Sequence, residues 1–264
     1  MSTYWLKQEI GAPLFEDIIW SKPETKSTAG SLLVVGGNSF GFAAPATAYT
    51  QAIAAGAGSV KVLLPESLHK MVGHFLPDAL YAPYNASGSF AATALEPLLT
   101  YSSGTDATLL AGDFGRNSET AVVLEKFASK YTGLLSITQD AADYFLKSPK
   151  ILLQRPKTAL FVSFEQLQKY GMHAKYTLPL LFSMDLSRTV EWLHEFTIKF
   201  NVVIVTVHAG NYMVAFEGQV VTQPSGQEDK IWRVKKAARG SVFWLQFGTK
   251  PLEAIASSLY GDSI

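Results

Sequence analysis

Residues 30–65 read GSLLVVGGNSFGFAAPATAYTQAIAAGAGSVKVLLP, and this stretch decides the fold. Ser31 to Val35 is a short apolar run, the pattern of a strand covered on both faces. Gly36 and Gly37 end it with a turn open to positive φ. Pro45 stands where a helix starts, a position at which its missing N–H costs nothing. The predicted helix runs through Ala57 with alanine at 46, 48, 52, 54, 55 and 57, so it can pack very close to a sheet. Gly56 and Gly58 stop it, and Val60 to Leu64 is the next buried strand. The unit has the size of a right-handed βαβ crossover. Its glycine turn gathers backbone N–H groups and a helix N-terminus at one point, which favours phosphate or another anion. The spacing is neither GxGxxG nor GxxxxGK[ST], so an ordinary strand-to-helix turn reads equally well.

Outward from this unit, strands alternate with helices. Ala107–Ala111, Leu134–Ile137, Ala159–Val162 and the β-branched Asn201–Val207 are the further strands. Asn117 or Ser118 caps a helix through Lys130, Ser163 caps one to Tyr170, and a long helical region covers about Pro179 to Phe200. Ser67 to Phe75 is a short helix. Tyr212–Phe216 and Gln219–Thr222 form a hairpin about Glu217-Gly218, and a last helix covers about Pro251 to Tyr260. Residues 1–29 are expected to be a capping helix plus a linker, with Trp5, Leu6, Ile10, Leu14, Ile18, Ile19 and Trp20 in its apolar stripe. This alternation argues one α/β domain over 1–264, a mostly parallel sheet with helices on both faces. Ligands of such sheets sit beyond the C-terminal strand ends, here the loops 36–45, 112–116, 138–140 and 208–212.

Composition narrows the function. Lys+Arg and Asp+Glu both number 22 in 264 residues, so nothing points to nucleic acid or an acidic membrane as partner. The basic run Lys230 to Arg239 reads as a solvated loop or a phosphate contact. With no cysteine there is no disulfide, thiolate nucleophile or Cys-type zinc site, which fits a reducing cytoplasm. No signal pattern and no membrane-length apolar run is expected. The five histidines show no HxH or HxxxH spacing, and no metal ligand set is assigned.

The string GGNSFGFAAPATAYTQAIAAGAGSVKVLLPES resembles the N-terminal signature of the ADP- or ATP-dependent NAD(P)H-hydrate dehydratases, members of the ribokinase-like superfamily. Their pattern runs strand, Gly-Gly-Ser, Gly-Ala-Pro, alanine-rich helix, Gly-Ala-Gly, strand, Pro. Here the turn is Gly36-Gly37-Asn38-Ser39, Ala43-Ala44-Pro45 stands for Gly-Ala-Pro, and Gly56-Ala57-Gly58 and Pro65 match as they stand. The resemblance implies a three-layer αβα sandwich, nucleotide ligands (ADP or ATP with Mg²⁺), an NAD(P)H hydrate as substrate, and a homo-oligomer. The implied reaction is phosphoryl transfer to the hydrate hydroxyl, after which phosphate leaves and NAD(P)H is restored.

Loop by loop the resemblance thins. Gly-Pro-Gly-Leu-Gly-Arg becomes Ala111-Gly112-Asp113-Phe114-Gly115-Arg116, in which Asp113 would repel a phosphate or is simply an exposed turn residue. Asp-Ala-Asp becomes Thr138-Gln139-Asp140, leaving Asp140 as a site carboxylate or a helix cap. The family's site histidine falls on Val162. The nucleotide loop falls on His208-Ala209-Gly210-Asn211-Tyr212, with His208 either touching ligand or structural. Counting back from the last helix puts the family's Gly-Ser-Gly-Asp at Phe247-Gly248-Thr249-Lys250, so that Lys250 replaces the catalytic Asp and either holds phosphate or is solvated. The implied substrate-side contacts are Gly37, Asn38, Ser39, Ala44, Gly112 and Asp113. Those on the nucleotide side are 208–212, Gly248 and Thr249, with Asp140 and Lys250 left for chemistry. Three functions stay open: a dehydratase with reduced or lost activity, an inactive nucleotide-binding relative, and a structural or oligomeric protein.

Overall fold

The computed structural model describes residues 3–9, 11–73, 76, 78–226 and 232–260. The apolar runs fold into strands of a single sheet. They are β1 (Trp5–Lys7), β2 (Ser31–Gly36), β3 (Ser59–Pro65), β4 (Leu80–Ala82), β5 (Ala107–Gly112), β6 (Leu134–Thr138), β7 (Thr158–Phe161), β8 (Val203–His208), β9 (Asn211–Phe216) and β10 (Gln219–Pro224). Their order is β1-β10-β9-β8-β7-β6-β5-β2-β3-β4. From β8 to β4 every neighbouring pair is parallel, and β9 is antiparallel to both β8 and β10.

Alternation along β2 shows why both faces are covered. Leu33 and Val35 enter one apolar cluster with Leu110, Phe127 and Phe196, while Leu32 and Val34 enter the other with Ala48, Ala52 and Ile255. The first face carries α4 (Leu95–Ser103), α5 (Ser118–Lys130), α6 (Asp140–Asp143), α7 (Lys150–Leu153), α8 (Phe164–His173) and α9 (Leu186–Lys199). The second carries α2 (Ala43–Ala54), α3 (His69–Val72), α10 (Trp232–Gln246) and α11 (Pro251–Tyr260), with α1 (Glu16–Trp20) packed on α11. Buried Ala44, Ala48 and Ala52 give α2 a small-residue stripe, and α10 packs against that helix. The helix stops at Ala54 rather than Ala57. Gly56 adopts φ +90°, and the Ala57 N–H returns to the Ala52 carbonyl at 3.1 Å.

Several local expectations match: Asn117 accepts from Glu119 N and Thr120 N at the start of α5, and Ser163 with Gln166 forms a capping box on α8. Others need correction. Residues 1–29 hold a three-residue strand as well as a short helix, because Trp5, Leu6 and Lys7 pair in parallel with β10. The helical region after Pro179 begins only at Leu186, where the Asp185 carboxylate accepts from Arg188 N at 2.9 Å. The predicted helix over 67–75 is one 3₁₀ turn followed by α3; residues 74 and 75 lie outside the described residues. The basic run is no solvated loop from Trp232 onward but the first turns of α10, in which even Lys236 is buried. No helix among the described residues is long and apolar enough to cross a membrane.

Candidate functional site

β2 has β3 on one side and β5 on the other, so the chain leaves β2 and β5 toward opposite faces, and their C-terminal ends are where sheets of this kind place a ligand crevice. Glycine is required where they part. A Cβ on Gly36 would stand 2.3 Å from the Gly112 carbonyl oxygen, which instead receives Gly37 N–H at 3.0 Å. Beyond it the buried Asn38 donates through Nδ2 to the Asp113 carbonyl at 2.5 Å, and its Oδ1 accepts from Phe40 N at 2.7 Å. Ser39 is tied through its N–H to the Gly88 carbonyl. Asp113, with φ +60°, turns its carboxylate onto the first turn of α2, where Oδ2 accepts from Ala44 N at 2.7 Å.

The next loop brings a second carboxyl group. Asp140 follows Gln139, whose φ is +55°, and its Oδ2 accepts from Gly115 N at 3.1 Å. Its Oδ1 is buried and has no hydrogen-bond partner. Burial, and then the negative charge of Asp113, push the Asp140 pKa up to about 6. Tyr144 holds this loop to the previous one, its hydroxyl donating to the Gly115 carbonyl.

A cation completes the group. Arg233, in the first turn of α10, donates to Gln166 Oε1 at 2.6 Å and to Gln139 Oε1 at 3.2 Å. Gln166 in turn donates to the Gln139 carbonyl at 2.9 Å and to Asp143 Oδ1 at 2.8 Å. Both acceptors of the guanidinium are neutral amides. Burial lowers its pKa, and the nearby Asp143, Asp140 and Glu165 charges oppose that shift. The site therefore holds one carboxyl group that titrates near neutrality, one carboxylate already used by the chain, and one guanidinium with N–H groups to spare.

No family model matches the chain, and no curated protein matches it. Solved structures do. A ribokinase-like superfamily protein from Enterococcus faecalis superposes with a TM-score of 0.75 at 17% identity, over 98% of this chain and 86% of that one. A hypothetical protein from Streptococcus mutans gives 0.68 at 16% identity, over 93% and 85%. The ADP/ATP-dependent NAD(P)H-hydrate dehydratase of Bacillus subtilis, co-crystallised with ATP and Mg²⁺ and soaked with CoA, gives 0.66 at 14% identity, over 95% and 87%. The fold is ribokinase-like.

Within this ribokinase-like frame the residues singled out from sequence separate into two groups. Gly37, Asn38, Ser39, Ala44, Gly112, Asp113 and Asp140 come together at the crevice. Gly248, Thr249 and Lys250 do not. α10 runs from the strand C-terminal ends to the opposite edge of the sheet, where Gln246 donates to the Ala29 and Gly56 carbonyls beside the starts of β2 and β3. The three residues follow it there, exposed, with Lys250 Nζ 2.7 Å from Asp17 Oδ2. Lys250 thus cannot share a site with Asp140, and the helix that begins at the crevice is α10 rather than α11. Residues 208–212 do lie at the strand ends, but as a tight hairpin. Ala209 and Gly210 both have positive φ, and Asn211 pairs with His208. His208 stacks on Phe164 at 3.9 Å and donates through Nε2 to the Met184 carbonyl at 2.7 Å, the structural role of the two considered. Tyr212 is buried next to Trp232, which opens α10. Arg233, which the structure brings beside Gln139 and Gln166, lies in the basic run and was not among the candidates read from sequence.

Asp113 and Asp140 are the two carboxyl groups that could face a nucleotide-borne Mg²⁺, which needs only one or two carboxylates beside phosphate and water. Among the described residues no three His, Cys, Asp or Glu side chains are grouped to hold a metal, so they offer no all-protein cage.

The raised pKa of Asp140 makes stability depend on pH with a definite sign. A carboxyl whose folded pKa exceeds its unfolded value contributes stability at low pH that is lost as pH rises through about 6. Asp140→Asn mimics the protonated form. Above about pH 7 the variant is expected to be more stable than the parent by about 1–2 kcal/mol, a figure reduced for the partial exposure of the group. Below about pH 4 the two should converge. Urea titrations at both ends of this range check it; a variant less stable than the parent at high pH contradicts the assignment.

Proposed function

We propose that the chain is a nucleotide-binding protein of the NAD(P)H-hydrate dehydratase type whose dehydration activity is reduced or lost. The observation that carries this reading is Arg233, a guanidinium held on two neutral amide oxygens at the start of a long helix, beside the carboxyl group of Asp140. A planar cation with free N–H groups suits phosphate oxygens, and the helix N-terminus adds to the attraction. The nucleotide phosphates would meet Arg233, with the 208–212 turn flanking them. The other end of a dinucleotide would lie in the crevice by Gly37, Asn38, Ser39 and Gly112. Asp140, with a pKa of about 6, is the group there suited to taking up a proton from a hydroxyl at Oδ1.

An inactive nucleotide-binding relative is the second reading. It is favoured by the carboxylate of Asp113 on the α2 N-terminus, where the family pattern has glycine. Calorimetry with ADP, ATP, NADH and NADPH tests the proposal. Binding of at least one of them is expected, and Arg233→Ala should weaken ADP or ATP at least about tenfold, the loss of a charge-assisted contact. No binding of any of the four at millimolar concentration would leave only a structural role.

A further inference from the structure

We infer that Phe182 is the residue on which the flat base of the nucleotide stacks, so that the ligand lies across the ends of β7 and β8 with phosphate on Arg233 and base on this ring. The inference rests on the proposed function for the phosphate contact. It adds the part of the ligand that phosphate recognition leaves open.

Phe182 belongs to an aromatic cluster and yet is 75% exposed. The inner members, Phe164 and His208, are buried and stacked at 3.9 Å. Phe182 stands steeply tilted to both, 5.8 Å from the Phe164 ring and 5.3 Å from that of His208. With most of the residue open to solvent, this contact leaves a ring face uncovered. Phe164 opens α8 just after β7, and His208 ends β8. The ring therefore stands at the strand C-terminal ends, where sheets of this kind bind ligands.

The loop that carries it is fixed. Trp192 Nε1 donates to the Leu178 carbonyl at 2.8 Å, Gln168 Nε2 to that of Leu180 at 2.8 Å, and His208 Nε2 to that of Met184 at 2.7 Å. The Met184 N–H returns to the Leu181 carbonyl at 3.0 Å. These bonds pin the backbone on both sides of Phe182, so an apolar ring is held out to water by a preorganised loop. A flat ligand that stacks on it pays little further ordering entropy.

Its neighbours indicate what covers it. Gln166, in the same first turn of α8 as Phe164, accepts from Arg233 at 2.6 Å. Guanidinium and exposed ring thus flank one turn of one helix. The planar cation suits phosphate oxygens, and an aromatic face suits any nucleobase, since every base has a π-face. A nucleotide is the ligand that uses both. Leu178 and Leu181 of the same loop are also exposed, so a second copy of the chain laid over the loop is the competing occupant.

Calorimetry with ADP and with inorganic pyrophosphate, which lacks the base, separates the two contacts. The parent should bind ADP more tightly than pyrophosphate. Phe182→Ala should weaken ADP at least about tenfold and leave pyrophosphate within about twofold, as loss of one stacked base requires. Phe182→Trp, which keeps an aromatic face, should bind ADP at least as well as the parent. An alanine variant that binds ADP like the parent overturns the inference; if Arg233→Ala still weakens ADP, the proposed function stands. A parent that binds pyrophosphate as tightly as ADP overturns it too, without any variant, and spares the phosphate contact. Binding of neither ligand overturns the inference and the phosphate contact together. Sedimentation of the same samples reads the competing occupant. A dimer that Phe182→Ala dissociates while ADP affinity is unchanged assigns the ring to a second copy and overturns the inference.

Discussion

Arg155→Ala is expected to lower folding stability by about 3–4 kcal/mol, the cost of stranding several buried carbonyls at once. Arg155 is 8% exposed and ties three segments together at the edge of the sheet opposite the crevice. Its Nε reaches the Ala128 and Tyr131 carbonyls at 3.1 Å, at the C-terminal end of α5. Nη2 reaches the Gly133 carbonyl at 2.7 Å ahead of β6, and Nη1 reaches the Lys157 carbonyl and Thr158 Oγ1 at 3.0 Å where β7 begins. Burial lowers its pKa to about 10, so it stays charged at neutral pH, and a cation at a helix C-terminus is favoured by the helix dipole. Lysine keeps the charge but not the fork, so Arg155→Lys should recover less than half of the loss. Chemical denaturation of the three proteins decides this. A loss below about 1 kcal/mol in the alanine variant would show that water or a rearranged turn takes over these carbonyls.

Such a contact was not legible in the sequence, since the Ala128, Tyr131 and Gly133 carbonyls that it ties to β7 lie 27, 24 and 22 positions away. The central βαβ unit was legible, because everything that forms it is local: an apolar run, two glycines, an alanine-rich helix and a second apolar run. β1 was not, since three residues become a strand only by pairing with β10, more than 200 positions away. α10 was hidden by its charges. Its apolar and small positions Val234, Ala237, Ala238, Ser241 and Val242 keep helical spacing, yet Arg233, Lys235, Lys236 and Arg239 between them read as a solvated run. Counting back from the last helix leads to 247–250, which lie away from the strand C-terminal ends, whereas the helix that starts at those ends is α10, with Arg233 in its first turn. Asp113 and Asp140 were found because strand-end loops can be placed from the strands alone. What each carboxylate does there depended on partners from other elements, Ala44 for one and Gly115 for the other.

Dehydration of hydrated NADH or NADPH is expected to run about 10²–10⁴-fold slower than in a ribokinase-like dehydratase with an intact Gly-Ser-Gly-Asp, the range that a positioned acid or base contributes. Lys250 offers no replacement, because it sits across the sheet, paired with Asp17. Asp140 offers a partial one. Its Oδ1 faces no partner, but its Oδ2 is committed to Gly115 N, and its pKa of about 6 leaves it a weak base at neutral pH. Whatever rate remains should therefore rise as pH passes through about 6, where Asp140 loses its proton, and that rise should vanish in Asp140→Asn. Restoring an aspartate at position 250 should add nothing. The measurement is ADP- or ATP-dependent recovery of the reduced nicotinamide from its hydrate by the parent, Asp140→Asn and Lys250→Asp proteins. Robust turnover by the parent that Asp140→Asn abolishes would overturn the reduced-activity reading and make Asp140 the catalytic base. Robust turnover that survives the substitution would place the chemistry outside the Asp113–Asp140 crevice altogether.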